Sequence, residues 1–381
     1  MVVNLILKAK ALILGVIVAI LMMPGQVMAT NLETGSAIAS STATEQVVDT
    51  NVSWIDRPAP DRPVSINKGW HIVFSKEVDS ASLDGGAIHV LDNDGVNVTD
   101  IKTELQADEK TVLVSPQKYY DPGRQYSLVI EPTIKSKSGR TLLSGVRMPF
   151  VIQSPDAGLG QSITREFLMQ NDGENWGGGF ADLEVNYNPE SYELNFNNSS
   201  LIEGLEGAGR AVLISGMNRS DDLFMFIKRK LTVAEGLQPD TTYSVKIETD
   251  FYTKAPAGAF GTGGAPGEAV KVKVGAFTTE PLAIPEDEKQ DPRYYRMNLD
   301  KGGQNDEGHN AVQVGNIAKV NSTDFDTYEL KTLSNNDNPL MAATDSEGRM
   351  WIMIGTDSGY EGVTSLYYTR VKVELTPWVA N

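Results

Sequence analysis

The sequence predicts an all-β protein built as two antiparallel sandwiches in series, the second larger and jelly-roll-like. Three observations predict it. Short runs with apolar residues at alternate positions recur from residue 70 to residue 375, separated by Gly, Pro, Asn and Asp, and no stretch of helical period interrupts them. A turn that delivers a tyrosine into a strand occurs twice, as Tyr120-Asp121-Pro122-Gly123-Arg124-Gln125-Tyr126 before SLVIE and as Gly236-Leu237-Gln238-Pro239-Asp240-Thr241-Thr242-Tyr243 before SVKIE. The 381 residues suffice for two cores of ordinary size.

Composition narrows the function. With no cysteine, disulfides, zinc-thiolate sites and iron–sulfur clusters are ruled out, leaving packing and bound ions to stabilise the fold. A formal net charge of −17 repels nucleic acid and anionic lipid and attracts divalent cations, so nucleic acid is not an expected partner.

In chain order, residues 1–29 carry Lys8 and Lys10, an apolar run over 11–23 and the ending Val27-Met28-Ala29, which together read as a secretory signal peptide. The run is shorter than a membrane-spanning helix needs, so after cleavage the chain is expected to be extracytoplasmic, secreted or held at the cell surface, with no transmembrane helix. Residues 30–51, rich in Ser, Thr and Ala, read as a flexible leader. Over 52–153, strands are expected at WHIVFS (70–75), AIHVLD (87–92), TVLVSP (111–116), QYSLVIE (125–131) and MPFVIQ (148–153). Turns are marked by Asp84-Gly85-Gly86, Asn93-Asp94-Gly95 and Lys137-Ser138-Gly139.

This region resembles the SbsA-type bacterial Ig-like domain of S-layer proteins. The resemblance rests on Phe74-Ser75-Lys76-Glu77-Val78-Asp79, on Asp108-Glu109-Lys110-Thr111, on the Pro122 to Tyr126 corner and on Ser138-Gly139 before the last strand. It implies an Ig-like β-sandwich serving as a spacer or adhesive module, with no catalytic residues to carry over. Lys135-Ser136-Lys137-Ser138-Gly139 departs from the Asp-x-x-Gly turn of many relatives, which argues against an ion there.

Residues 154–164, SPDAGLGQSIT, read as a linker between sandwiches that move relative to each other. Over 165–376 about ten strands are expected, among them EFLMQ (166–170), YELNF (192–196), AVLIS, LFMFIK, YSVKIETDFY, AVKVKVGAF (269–277), MWIMIGTD (350–357) and TSLYYTRVKVEL (364–375). In outline the Trp-Gly-Gly turn, the second tyrosine corner and the Tyr-rich closing strand resemble carbohydrate-binding-module jelly rolls. Segments such as NRSDDLFMF and GTDSGYEG are similar to those of uncharacterised secreted bacterial proteins.

Candidate binding residues fall in this second sandwich. Carboxylates beside Gly, Asn or Ser at strand ends suit calcium, which takes six to eight oxygens from such loops. Asp221, Asp222 and Asp357 are the first candidates, without a twelve-residue calcium loop to fix the ligands. Pyranose CH faces pack on aromatic rings, which makes Trp176, Phe180, Tyr360 and Tyr368 candidate glycan contacts; core packing is their competing fate. His309 with Asp306 and Glu307 is a weaker metal candidate, and His71 and His89 fall on the polar phase of strands. The segment APAGAFGTGGAPG (255–267) lacks the Gly-Lys-Ser/Thr of a phosphate loop and reads as a long loop over one face. No Gly-x-Ser-x-Gly or His-Glu-x-x-His motif is present.

The leading expectation is therefore a non-catalytic secreted or cell-surface protein, an Ig-like spacer presenting a sandwich that binds glycan or another envelope component, with calcium as a candidate stiffener. The alternatives are an extracellular carbohydrate-active enzyme using two acids of the second sandwich, and a structural envelope-layer subunit assembling through open strand edges.

Overall fold

The computed structural model describes residues 3–5, 53–219, 222–286, 293–309 and 311–378. The first sandwich comprises β1 (Val3–Leu5), β2 (Trp54–Asp56), β3 (Trp70–Phe74), β4 (Ile88–Asp92), β5 (Ile101–Leu105), β6 (Thr111–Pro116), β7 (Gln125–Ile130) and β8 (Gly145–Val151). They form two sheets, ordered β1-β3-β6-β5 and β2-β8-β7-β4. Alternation turns Trp70, Ile72 and Phe74 inward from one sheet to meet Leu128, Ile130, Met148 and Phe150 of the other, while His71 faces solvent. Apart from Val3–Leu5, the segment expected to be signal peptide and leader lies outside the described residues up to residue 52.

The second sandwich contains β9 (Ile163–Leu168), β10 (Gly177–Ala181), β11 (Leu183–Glu184), β12 (Asn195–Leu201), β13 (Arg210–Met217), β14 (Leu223–Leu231), β15 (Thr242–Thr253) and β16 (Val270–Phe277). It continues with β17 (Ala283–Pro285), β18 (Tyr294–Met297), β19 (Ala311–Asn316), β20 (Glu329–Ser334), β21 (Leu340–Ala343), β22 (Met350–Ser358) and β23 (Val363–Pro377). One main sheet runs β10-β14-β22-β16-β19; the other runs β12-β13-β23-β15-β20, with β9 added on β23 and β21 on β15. Between them lies a core of Met225, Ile227, Val272, Val274, Ile352 and Ile354 against Val212, Ile214, Val245, Ile247, Leu366 and Val373. A small sheet, β11-β18-β17, packs on the outer side of the first main sheet, where Ala283 and Met297 cover Phe224, Phe226 and Met353.

Both tyrosine corners form. The Tyr126 hydroxyl accepts from Asp121 N at 3.1 Å, and the Tyr243 hydroxyl accepts from Gln238 N at 2.8 Å. Two local expectations change. The expected Gly-rich turn after Trp176 is strand β10: a Cβ on Gly178 would collide with the Phe196 ring and one on Gly179 with the Phe226 ring, so the glycines serve close packing. The strand expected over 192–196 starts later, because Asn188 caps a helical turn, Pro189–Tyr192, accepting from Glu190 N at 3.0 Å.

The expected independence of the two sandwiches gives way to a packed seam. Ile66 N donates to Thr242 Oγ1 at 3.3 Å, and Thr242 N donates to Gln153 Oε1 at 3.1 Å, all three residues being buried. Asn67 Nδ2 donates to Thr278 Oγ1 at 2.8 Å, and Tyr119 N donates to His309 Nε2 at 3.2 Å. Ala343 and Trp378 of the second sandwich belong to the first sandwich's apolar cluster. The linker itself is tied down by a bridge between Leu159 and Trp378 and by Gly160 N donating to Pro377 O at 2.8 Å.

Candidate functional site

The polar cluster at the β13–β14 junction divides between two places. Asn218 is buried and turns toward the loop after β22: its Nδ2 donates to Ser358 O at 2.8 Å and to Tyr360 O at 3.1 Å, while its Oδ1 accepts from Leu223 N at 3.3 Å. It therefore fixes the segment that carries Tyr360. Asp222 turns the other way, toward the outer face of the first main sheet.

There Asp222 meets Asp357 of β22 and Asp182, which follows β10, each offering an oxygen within 4.8 Å of the others. Two of the three expected ligands are thus involved, with Asp182 in place of Asp221, which lies outside the described residues. The positive charge at this trio comes from the chain itself. Lys301 Nζ lies 2.7 Å from Asp357 Oδ2 and 2.9 Å from Asp182 Oδ2, Lys273 Nζ lies 3.0 Å from Asp357 Oδ2, and Arg296 reaches Asp182 at 2.9 Å and Asp222 at 3.1 Å. Lys273 also donates to Lys301 O at 3.2 Å and to Gly303 O. Lys273 and Asp357 have no solvent exposure at all.

Calcium at Asp222 and Asp357 would share these carboxylates with Arg296 at Asp222 and with Lys273 and Lys301 at Asp357, against their like charge. Burial, then the neighbouring Asp182 and Asp357 carboxylates, push the Asp222 carboxyl up to about 6 against the pull of Lys301 and Arg296. Burial draws the Lys301 ammonium down, but Asp357 and Asp182 outweigh it and hold the group above its ordinary value.

The four aromatic candidates separate as sharply. Trp176 is 2 % exposed and packs edge-on to Phe167, and Tyr368 is 1 % exposed against Phe251; both are core residues with no ring face left for a sugar. The reason for Tyr368 lies in β23, where both Tyr367 and Tyr368 are covered, Tyr368 by the sandwich core and Tyr367 by Ile202 and Tyr328 on the outer side. Phe180 is half-buried against the core. Tyr360 lines a cavity.

That cavity, about 270 Å³, opens where β15 ends and β23 begins. Its walls come from Thr253, Lys254, Ala255 and Pro256 at the end of β15, Pro266 and Ile317, Phe325 and Tyr328 before β20, Glu203, and Tyr360, Val363, Thr364 and Ser365 at the start of β23. Tyr360 is seated by glycine backbone, since a Cβ on Gly261 or Gly362 would collide with its ring. Tyr328 stands edge-on to Tyr367, with centroids 5.2 Å apart, and burial followed by that neighbour pushes its hydroxyl above the usual tyrosine range. Lys254 Nζ sits 4.6 Å from the Tyr328 ring centroid and 3.3 Å from Glu203 Oε2, so the cavity's one cation and one anion neutralise each other. Apolar ring surface, hydroxyls and no net charge suit a neutral polyhydroxyl ligand. Phe325, Tyr328, Glu203 and Lys254 had no local sequence signal: they reach the cavity from separate loops.

The sequence match falls on the first sandwich. Residues 36–151 match the bacterial Ig-like domain. The match to this Ig-like unit begins inside the stretch expected to be leader. No curated protein sequence matches the chain. Among solved structures, the chain is similar to carbohydrate-binding modules of the β-sandwich superfamily described for promiscuous specificity, at 15% identity over 81% of this chain and 92% of that one, with a TM-score of 0.22. It is similar to a carbohydrate-binding module described for specific mannan recognition, at 12% identity over 56% and 98% of the two chains, TM-score 0.28. The N-terminal part of the bacterial S-layer protein SbsC is similar at 12% identity over 43% and 39%, TM-score 0.21. The overlaps are too loose to match any residue of this chain to one of theirs. Among the described residues no helix is long and apolar enough to cross a membrane.

Proposed function

We propose that the chain is a non-catalytic binding protein of the bacterial cell surface or exterior, in which the Ig-like unit, of the SbsA type, is a spacer and the second sandwich holds a neutral glycan in the cavity between Tyr328 and Tyr360. The observation that carries the reading is the composition of that cavity: aromatic rings and hydroxyls around a single ion pair, at the end of the sandwich remote from the Ig-like unit. Thr242 lies in the seam and Thr253 in the cavity wall, and the fully extended strand between them spans roughly 35 Å. A spacer that sets a binding cavity away from its own attachment is the use this geometry serves.

Hydrolysis fits less well. Glycoside cleavage needs two carboxylates flanking the bond, and Glu203 is the only acid among the described lining residues, already engaged with Lys254. The acids that do gather, Asp182, Asp222 and Asp357, are absent from that lining.

The test is a glycan array probed with the full chain and with Tyr328→Ala and Tyr360→Ala. Retention of neutral oligosaccharides by the native chain, weakened roughly tenfold in each variant, is expected from loss of one stacked ring. An array on which nothing is retained, or on which both variants bind as the native chain does, sinks the proposal.

A further inference from the structure

The loop over 255–267 carries Phe260 at its apex with its side chain entirely in solvent. Full burial of such a ring is worth about 2–3 kcal/mol, so its exposure leaves that stabilisation unused in the free protein. Single exposed apolar residues need no explanation, but the cavity beside this loop has exposed apolar residues of its own. Phe325 and Val363, both cavity-lining, are 59 % and 48 % exposed, and Val320, next to the loop's anchor at Lys319, is 75 % exposed. The two residues after Phe260 reach the cavity wall: Gly261 abuts the ring of the cavity-lining Tyr360, and Thr262 O accepts from Glu361 N at 2.9 Å.

The loop beneath Phe260 is tight. Glu268 Oε1 accepts from Gly258 N at 2.7 Å, Ala269 N donates to Ala265 O at 3.0 Å, and Lys319 N donates to Ala255 O at 2.8 Å. Gly264 leaves no room for a Cβ against Ala269. Phe260 is therefore held out by its support, and a ligand gains the ring without first ordering a chain segment, which lowers the entropic cost of binding.

We propose that Phe260 is a second aromatic wall of the cavity, one sugar unit beyond the Tyr328–Tyr360 pair, and that it makes the site selective for oligosaccharides over single sugars. This rests on the glycan reading above. A cavity of about 270 Å³ is just under the usual size of a small-molecule site, so a ligand longer than the cavity must run out along its rim. Gly261, the residue after Phe260, abuts Tyr360 at that rim.

The test uses full-length chains carrying Phe260→Ala and Phe260→Trp, which fold normally because the side chain touches no core. Probes are cellohexaose, mannohexaose and maltohexaose, with glucose and mannose, followed by titration calorimetry and by fluorescence. For the hexasaccharide the native chain binds, Phe260→Ala should lose roughly tenfold in affinity, the worth of one stacked ring. Binding of the single sugar should stay unchanged. Phe260→Trp emission should shift to the blue with the hexasaccharide and stay still with the single sugar. If the native chain binds a hexasaccharide, Phe260→Ala binds it equally, and Phe260→Trp emission does not move, the Phe260 wall is refuted while the cavity stands. If Phe260→Ala weakens the single sugar and the hexasaccharide alike, the length selectivity is refuted. Binding of none of the probes by the native chain overturns both.

Discussion

Asp357→Asn probes the buried ion cluster directly. Asp357 Oδ2 accepts from Lys301 at 2.7 Å and from Lys273 at 3.0 Å, and Lys273 and Asp357 are wholly inaccessible to solvent. Asparagine keeps the shape but removes the charge. Lys301 retains Asp182, whereas Lys273, among the described residues, keeps neutral acceptors, the carbonyls of Lys301 and Gly303 and the new amide, and becomes a buried ammonium without a counter-charge. Breaking one side of such a pair costs about 3–5 kcal/mol. In a unit of this size that lowers the midpoint by roughly 6–20 °C. Differential scanning calorimetry with urea unfolding would read the loss. The double variant Lys273→Met with Asp357→Leu removes both charges and should recover most of it, to within about 2 kcal/mol of the native chain. If Asp357→Asn unfolds within about 1 kcal/mol of the native protein, the reasoning that Lys273 depends on this carboxylate is wrong.

Three further outcomes are expected. Calcium in excess and EDTA should give the same unfolding midpoint for the native chain, because Lys273, Lys301 and Arg296 already supply the positive charge; Lys301→Met should instead gain a calcium-dependent rise, and a rise of several degrees in the native chain would contradict the lysine assignment. The Asp222 carboxyl, raised to about 6, stays protonated in the folded state where the unfolded chain has already ionised. Its contribution is therefore unfavourable above that window and falls away as pH drops from about 6 toward the unfolded value near 4. The midpoint of Asp222→Asn minus that of the native chain should accordingly grow as pH rises from about 4 to 6, and a flat difference would count against the raised carboxyl. Trp378→Ala empties a seam position that is 7 % exposed and should cost about 3–5 kcal/mol; calorimetry should show one transition in the native chain and two in the variant, and two transitions already in the native chain would mean the seam does not couple the sandwiches.

What the sequence disclosed was local. Alternation placed β3, β6, β15 and β22 within a residue or two, since period-two burial is written in neighbouring positions. The Tyr126 and Tyr243 corners were legible because donor and acceptor are five residues apart. The ion cluster was not. Lys273 sits at a polar phase of AVKVKVGAF and reads as a solvent-facing lysine; its burial depends on the segment around Lys301 and Gly303 folding over the outer face of the sheet. Asp222 and Asp357, expected as calcium ligands, meet in one cluster with Asp182, but the Lys273, Lys301 and Arg296 side chains that pair with these acids carry no motif. Trp176 shows the opposite error, in which a glycine-rich neighbourhood suggests an exposed turn while the glycines make room for Phe196 and Phe226.

The two strands that join seam to cavity also decide how the protein bears tension. β15 and β23 run antiparallel side by side from Tyr243 opposite Pro377 to Tyr252 opposite Tyr367, with the seam at one end and the cavity at the other. On the proposed reading, a pull on a glycan in the cavity against an anchored Ig-like unit would act along these strands and load their ladder in shear. Strands sheared past each other must give up many hydrogen bonds together, whereas strands peeled from one end release them singly, and forced unfolding is governed by that barrier. On that reading the long register of this pair would make the sandwich a stiff tether, with rupture expected at the glycan contact or at the seam before the sheet yields.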